Sequence, residues 1–426
     1  MREALRGLTV RGRAFIAAGI TAIVASIVID AGSLTRVGVL ILALPLVTAV
    51  FLSRSRYRLS LVRTVSPPLI SAGQSAQVQL NLSNEGRAPS GVLLLEDHLP
   101  YVLGTRPRLV LEGIGQGWHQ RVEYTVRSEV RGHYEIGPMT VRVVDPFGLI
   151  EMARAFTSTV SLTVTPRTVP LPTIPLGGAW TGSGDNRPRA FSNGSAEDVT
   201  VRDYRRGDDL RRVHWRSSAR MGELMVRREE QPWQSRATLF LDNRLHAHRG
   251  QGIASSLEAA VSAAASIAVH LAQRGFAVRL VTASGEVQSS AWHSRQAEYN
   301  TAPLLESLAV LQAQTTPRLE TGWLTEHGSG GLVVAILGDI DDQDAPVLRR
   351  MAAHSGSAIA LALDVEAWRS PGASTAGVAT ALTRQGWRAV PLRPRDRLDA
   401  AWQELGRGST QTARGIDQVG VGAEVR

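Results

Sequence analysis

Two apolar stretches near the start of the chain, Ala14 to Ile29 and Val37 to Leu52, set the strongest limit on what it can fold into. Neither carries a charge, and only the polar loop Asp30-Ala31-Gly32-Ser33-Leu34-Thr35-Arg36 separates them. Each has 16 residues, or about 24 Å of helix against roughly 30 Å of bilayer hydrocarbon. Flanking residues such as Arg13 and Arg54 must then reach the headgroups with their long side chains, and the pair reads as a transmembrane hairpin. Arg2, Arg6, Arg11 and Arg13 precede it, and Arg54, Arg56 and Arg58 come after it. The positive-inside rule therefore puts both ends, and the soluble bulk, in the cytoplasm. A cleaved signal peptide shares the basic start, but no Ala-x-Ala-like site lies beyond Ile29 and a second apolar run arrives within ten residues. Burial of the hairpin in a soluble core is the other competing reading.

The net charge of +9 is concentrated in the same region. Residues 1 to 58 hold eight arginines against Glu3 and Asp30, leaving only +3 for the remainder. A nearly balanced soluble part with 5% aromatic residues argues against a nucleic-acid binder. All 47 basic residues are arginine, which fits GC-rich codon usage and weakens any reading of arginine clusters as a demand for guanidinium chemistry. The absence of cysteine removes thiol nucleophiles, thiolate metal sites and disulfides.

Beyond the hairpin, assigned to residues 1–56, the patterning changes twice. Over 57–168 apolar residues alternate with period two, as in Val78, Leu80 and Leu82 or Val122, Tyr124 and Val126, with turn signals such as Asn84-Glu85-Gly86. Many short strands without a helical stripe predict a β-sandwich. Residues 169–236 combine a Pro/Gly-rich linker or extended strap, Pro166 to Asn186, with an arginine-rich segment. Over 237–405 strands and helices alternate: strand Ala237–Leu241, a helix through Ile253, Leu257, Ala260, Val261, Ala264, Ile267, Ala268 and Leu271, strand Ala277–Thr282, helix Ala302–Gln314, strand Gly331–Leu337, helix Ala345–His354, strands Ala358–Leu363 and Trp387–Pro391, and helix Arg395–Leu405. This predicts a Rossmann-type α/β domain around a mostly parallel sheet. Residues 406–426 lack an apolar stripe and read as a disordered tail. The fold class is thus α+β multidomain.

Ligands of such sheets bind beyond the carboxyl ends of the strands, which singles out Asp242, Thr301 and Asp339. Their setting resembles a von Willebrand A domain, whose Asp-x-Ser-x-Ser loop, later Thr and later Asp hold Mg²⁺ through oxygen ligands. Here the loop reads Asp242-Asn243-Arg244-Leu245-His246, with basic side chains at both serine positions. Arg244 could neutralise Asp242 and Asp339 in place of a cation, so the expectation is a degenerate site without metal or other cofactor. Asp341, Asp342 and Asp344 read as a solvated cap before a helix. His246 and His248 lack further zinc ligands. There is no Gly-x-Ser-x-Gly elbow, no P-loop lysine and no His-Glu-x-x-His helix.

The most specific signal is Val201-Arg202-Asp203-Tyr204-Arg205-Arg206-Gly207-Asp208-Asp209-Leu210-Arg211-Arg212-Val213-His214-Trp215-Arg216-Ser217-Ser218-Ala219-Arg220-Met221-Gly222-Glu223-Leu224-Met225-Val226. It resembles the signature of the domain-of-unknown-function 58 family, at Arg202, Tyr204, Gly207, Asp208, Asp209, Arg211, Trp215, Ala219, Arg220, Gly222 and Leu224. Arg131-Gly132-His133-Tyr134-Glu135-Ile136-Gly137-Pro138 and Asp145-Pro146-Phe147-Gly148-Leu149 resemble that family's β region. The nine arginines of 202–228 alternate with acids, which favours internal ion pairs, with Tyr204 and Trp215 as apolar anchors. Trp215 and Asp208 are expected to be structural, and Asp242, Arg244 and Asp339 to carry partner contacts.

The resemblance implies a bacterial membrane protein with a protein partner, in particular a MoxR-type AAA+ ATPase, and a chaperone-like or cell-envelope role. The reading is therefore a non-enzymatic interaction component with two spans and cytoplasmic domains. The alternative is a metal-dependent hydrolase using the acidic cluster.

Overall fold

The computed structural model describes residues 7–54, 59–86, 92–111, 114–115, 117–145, 147–176, 200–203, 215–228, 235–290, 301–324, 331–370, 372 and 377–407. It divides into one unit of Met1–Arg167 with Leu305–Leu311, and a second of Thr168–Leu304 with Gln312–Arg426. The whole is a mixed α/β protein with two N-terminal apolar helices and several sheets.

The helices are α1, Val10–Ile29, and α2, Gly32–Arg54. Both are long and apolar enough to cross a membrane. Each is longer than its uncharged run because the first turn of α1 and both ends of α2 admit polar residues. Thr9 caps α1 by accepting from the Gly12 N–H at 3.1 Å, and Asp30 turns the chain in the left-handed conformation. The helices cross closely, since a Cβ on Gly38 would come within 3.0 Å of the Gly19 carbonyl oxygen. Ser26 and Thr35 hydroxyls meet across the pair at 2.8 Å. Small residues at the crossing and a polar bridge are how apolar helices associate where no hydrophobic drive separates protein from lipid.

Three sheets fill the rest of the first unit. Strands β1 (Leu59–Ser66), β3 (Ser75–Asn84) and β6 (His119–Arg127) are antiparallel in the order β1-β3-β6. Strands β2 (Leu69–Ser71), β10 (Val160–Thr165) and β7 (Gly132–Ile136) form β2-β10-β7, with β2 parallel to β10. The third sheet is β5-β4-β8-β9, from β4 (Val92–Asp97), β5 (Arg108–Leu111), β8 (Met139–Val144) and β9 (Glu151–Phe156). The period-two residues Val78, Leu80 and Leu82 join Leu93, Leu95, Val126, Val141 and Leu162 in one core, which also takes in Ala49 of α2. At its edge, Arg63 donates from Nε and Nη2 to both Asp97 oxygens, at 3.2 and 2.6 Å. The Tyr124 hydroxyl donates to Asp97 Oδ2 at 2.6 Å, and burial together with that carboxylate pushes the phenol well above its usual pKa. Arg131 donates to the carbonyls of Leu308 and Leu311, both at 2.8 Å, which belong to this unit.

The second unit is built on a six-stranded sheet of order β15-β14-β13-β16-β17-β18. Its strands are β13 (Ser235–Leu241), β14 (Phe276–Thr282), β15 (Val287–Ser290), β16 (Leu332–Leu337), β17 (Ser357–Leu363) and β18 (Arg388–Leu392). All pairings are parallel except that of the edge strand β15. β16 is buried at every position, as expected when helices cover both faces. The alanine-rich helix Ser256–Gln273 packs on β13, β14 and β16. The opposite cluster joins Phe240, Val333, Ala335 and Trp387 with Leu348 and Met351 of helix Ala345–His354 and Leu382 of helix Gly377–Arg384. A last helix covers 398–407.

Three local expectations need correction. The helix from Ala302 stops at Val310, and residues 311–314 leave the helical path. Helices Glu366–Arg369 and Gly377–Arg384 lie between two strands that the sequence pattern places in direct succession. They supply the crossover that parallel strands require. The edge strand β15 has no counterpart in the sequence-based expectation. Of the two alternatives for the Pro-rich segment, its described part is a strap. The Val169 N–H donates to Ser266 Oγ at 3.0 Å, Trp402 Nε1 to the Pro172 carbonyl at 3.1 Å and Ser357 Oγ to the Leu176 carbonyl at 2.8 Å. Residues 408–426, most of the expected tail, lie outside the described residues.

Removing the Asp97 carboxylate leaves a buried guanidinium without its counterion. Asp97→Ala is expected to destabilise the protein by about 3–5 kcal/mol, and Tyr124→Phe by about 1.5–3 kcal/mol. Denaturant unfolding in detergent checks both magnitudes and their order.

Candidate functional site

The carboxyl ends of β13 and β16 carry the residues that the sequence singles out. Asp242 and Arg244 come directly after β13, and both are completely buried. The Arg244 N–H donates to Asp242 Oδ1 at 3.1 Å, closing a tight turn that folds the arginine back over its own loop. Nε then donates to Asp242 Oδ1 and Nη2 to Oδ2, both at 2.9 Å. The other side of the guanidinium forks onto Asp344, with Nη1 to Oδ1 at 2.9 Å and Nη2 to Oδ2 at 3.0 Å. Nη2 also reaches the Asp339 carbonyl at 3.3 Å. Burial alone would lower the Arg244 pKa, but the hydrogen bonds and charges of Asp242 and Asp344 outweigh it and raise the value above that of a free arginine.

One guanidinium against two buried carboxylates leaves an excess negative charge. The Asp341 N–H donates to Asp344 Oδ2 at 3.2 Å, and Asp344 stands at the start of helix Ala345–His354, where the peptide dipoles favour an anion. Asp344 is therefore the deep partner of Arg244 rather than part of a solvated cap. Asp339, expected to share the guanidinium, offers it only a carbonyl. Its half-buried carboxylate instead takes Arg249 Nη2 at 3.2 Å.

The surroundings fix this cluster. Asn243 Nδ2 donates to the Gln312 carbonyl at 2.9 Å, and the Gln314 N–H donates to the Asn243 carbonyl at 2.8 Å. Residues 312–314, helical by sequence pattern, thus run beside the loop. A Cβ on Gly338 would collide with the Ala247 carbonyl, so glycine is required where β16 ends. His248 Nε2 donates to the Asp242 carbonyl at 2.7 Å, and its Nδ1 lies 3.0 Å from Ser256 Oγ. Burial lowers its pKa below the usual imidazole value.

The chemistry open to this arrangement is narrow. Every carboxylate oxygen of Asp242 and Asp344 already accepts from Arg244. Among the described residues no group of three His, Asp or Glu side chains converges as a metal site. Thr301 immediately precedes the helix at Ala302 and makes no described hydrogen bond to Asp242 or Asp339. Two of the three expected partner contacts are withdrawn from solvent, since Asp242 and Arg244 lie inside the fold. Outward the loop presents Leu245, 59% exposed, and Ile253, 62% exposed, beside Arg249 and Asp339. Sequence reasoning missed Leu245 and counted Ile253 in the apolar stripe of the next helix, but that helix begins at Ser256 and Ile253 stands exposed in the turn before it.

The described parts of the signature segment are two antiparallel strands and a short helix. Strand β11 (Thr200–Asp203) pairs antiparallel with β12 (Met225–Arg228), and helix Trp215–Met221 lies between them in sequence. Ser218 Oγ accepts from the Met225 N–H at 2.8 Å. Gly222 ends the helix at φ +77°, with its N–H on the Ser218 carbonyl, a left-handed position that explains a glycine there. Trp215, expected as an apolar anchor, is instead 70% exposed, and Ala219, Arg220 and Leu224 are exposed as well. Arg202 lies in β11, whereas Tyr204, Gly207, Asp208, Asp209 and Arg211 lie outside the described residues.

The family described as "Protein of unknown function DUF58" matches residues 200–322. This segment belongs to the DUF58 family. The DUF58 match encloses the signature segment from Thr200, Asp242, Arg244 and Thr301, and stops short of Asp339 and Asp344. No curated protein sequence matches the chain. Among solved structures, the CARDB domain of the PF1109 protein from Pyrococcus furiosus is 15% identical over 25% of this chain and 93% of that one, with a TM-score of 0.20. The putative ApaA protein from Bordetella pertussis is 16% identical over 26% of this chain and 97% of that one, with a TM-score of 0.19. Both likenesses are too slight to bear on function.

Three outcomes are expected at the site. Arg244→Ala leaves two carboxylates buried together and should cost about 3–5 kcal/mol, whereas replacing Asp242, Arg244 and Asp344 together by Asn, Met and Asn should cost much less. Mg²⁺ or Mn²⁺ should leave wild-type melting unmoved, where a cation at 100 times its Kd would add about 2.7 kcal/mol. His248, with its folded pKa lowered, contributes stability that is complete above roughly pH 6.5 and is lost as pH falls below it, because the unfolded chain then binds the proton more readily. His248→Gln should flatten that acid limb of a stability profile.

Proposed function

We propose that this is a bacterial membrane-anchored interaction protein with two spans and cytoplasmic soluble units, and that its α/β unit is a degenerate von Willebrand A-like domain that binds a protein partner. The carrying observation is Arg244, whose guanidinium occupies Asp242, where an active domain of that kind would coordinate a cation, and is held from its other side by Asp344. The sheet order β15-β14-β13-β16-β17-β18, with one antiparallel edge strand, supports the fold assignment. Carboxylates held this way are unavailable to a metal or to water, which favours recognition over the metal-dependent hydrolase reading. The partner contacts then fall on Leu245, Ile253, Arg249 and Asp339 at the strand ends. DUF58 resemblance makes a MoxR-type AAA+ ATPase the partner to test, in a chaperone-like or cell-envelope role.

Leu245→Glu combined with Ile253→Glu should leave melting unchanged and weaken capture of a MoxR-type ATPase by about thirtyfold, the equivalent of roughly 2 kcal/mol at an interface anchor. Undiminished capture by this variant would remove the assigned surface. A reporter active only outside the membrane, fused to the C-terminus, is expected to stay silent.

A further inference from the structure

The Asp145–Ile150 loop, which comes after β8, buries Leu149 and Ile150 in the core of the first unit and leaves Phe147 at its tip exposed. It is held rigidly. Asp145 Oδ1 accepts from the Ile150 N–H at 2.7 Å and Oδ2 from the Phe147 N–H at 3.2 Å, and Gly148 turns at φ +68°. The loop also grips the start of α1. The Thr9 N–H donates to the Leu149 carbonyl at 3.0 Å, Thr9 Oγ1 to the Gly148 carbonyl at 2.7 Å, and the Glu151 N–H to the Gly7 carbonyl at 2.8 Å, around an antiparallel bridge between Leu8 and Ile150. A Cβ on Gly12 would collide with the Leu149 carbonyl, so the first helical turn rests directly on the loop backbone.

This docking fixes a depth. α1 has 20 residues, about 30 Å of helix, which is the full hydrocarbon thickness with nothing to spare. Its first turn, bearing the exposed Arg11 and Arg13, then lies at the hydrocarbon boundary. The loop bonded to that turn lies at the same level. Phe147, at the tip, is 58% exposed, and a Cβ on the adjacent Gly148 would stand 3.7 Å from the Arg11 guanidinium.

We propose that the Asp145–Ile150 loop is a lipid-binding edge, with Phe147 entering the top of the acyl region and Arg11 meeting lipid phosphate beside it. An aromatic ring and a guanidinium side by side at the boundary suit the two halves of that layer. The inference rests on α1 spanning the membrane, and the experiment separates the two.

Because the chain has no cysteine, a single introduced thiol can carry an environment-sensitive fluorophore. Phe147→Cys, Ile20→Cys and Tyr101→Cys are each labelled in the full-length protein, reconstituted in phosphatidylglycerol/phosphatidylcholine vesicles. Ile20 lies mid-span in α1. Tyr101, 92% exposed, comes after β4 at the end opposite the loop, because Asp97 pairs with Met139 while Val92 pairs with Val144. The expected result is blue-shifted emission at 20 and 147, aqueous emission at 101, and quenching at 147 by lipids brominated high on the acyl chain. Aqueous emission at 147 with a lipid signal at 20 overturns the proposal and leaves the span intact. Aqueous emission at 20 overturns both.

Discussion

The Arg244 guanidinium is the constraint around which the second unit's strand ends are arranged. Asp242 comes from the end of β13 and Asp344 from the start of a helix beyond β16, and two carboxylates at that depth would repel each other without a cation between them. Arginine answers this with a planar fork that gives two parallel hydrogen bonds to each. The price is desolvation, and breaking such an arrangement on one side costs more than never having built it. A permanent internal cation also differs from a metal in one respect that matters for function: it cannot be removed by chelation or exchanged for a ligand oxygen.

Several neighbours make sense only as consequences of that placement. Gly338 has no room for a side chain because the turn at Ala247 has been drawn over the end of β16. Asn243, between the two charged residues, ties the loop to Gln312 and Gln314 through its side chain and backbone. His248 is positioned beneath the same loop by Asp242's carbonyl and Ser256, and its burial there lowers its pKa. The outer surface of the loop, with Leu245 and Ile253, is thereby presented on a rigid base, which lowers the ordering cost of any contact made there.

Much of this organisation is legible in the sequence. Uncharged runs mark the hairpin, period two the strands, and strand-helix alternation the parallel sheet, with the helix Ala345–His354 placed to the residue. The basic residue in place of a serine at position 244 points to an internal countercharge. Its second partner is not legible, because the choice between Asp339 and Asp344 depends on which carboxylate the helix start carries inward. The non-helical run at 311–314 is hidden by Leu311, which continues the apolar stripe of the preceding helix although the backbone there serves the Asn243 loop. The helices between β17 and β18 escape notice because they are short, with Gly377, Val378 and Thr380 weakening the pattern. Trp215 misleads for another reason: an aromatic in a charged segment reads as an anchor, yet its ring faces outward.

The grip of the Asp145–Ile150 loop on α1 makes the hairpin and the β sheets of the first unit a single lever. Backbone hydrogen bonds at Thr9 and Gly7 tie the two together. Transmembrane helices commonly tilt by about 20°, and in a bilayer a change of tilt would be passed to the sheets through this contact. At a distance of roughly 30 Å from the pivot, a 20° rotation displaces a point by about 10 Å. For an α1 that spans a bilayer, the thickness of that bilayer would act on the attitude of the β-rich unit through the backbone contacts at Gly7 and Thr9.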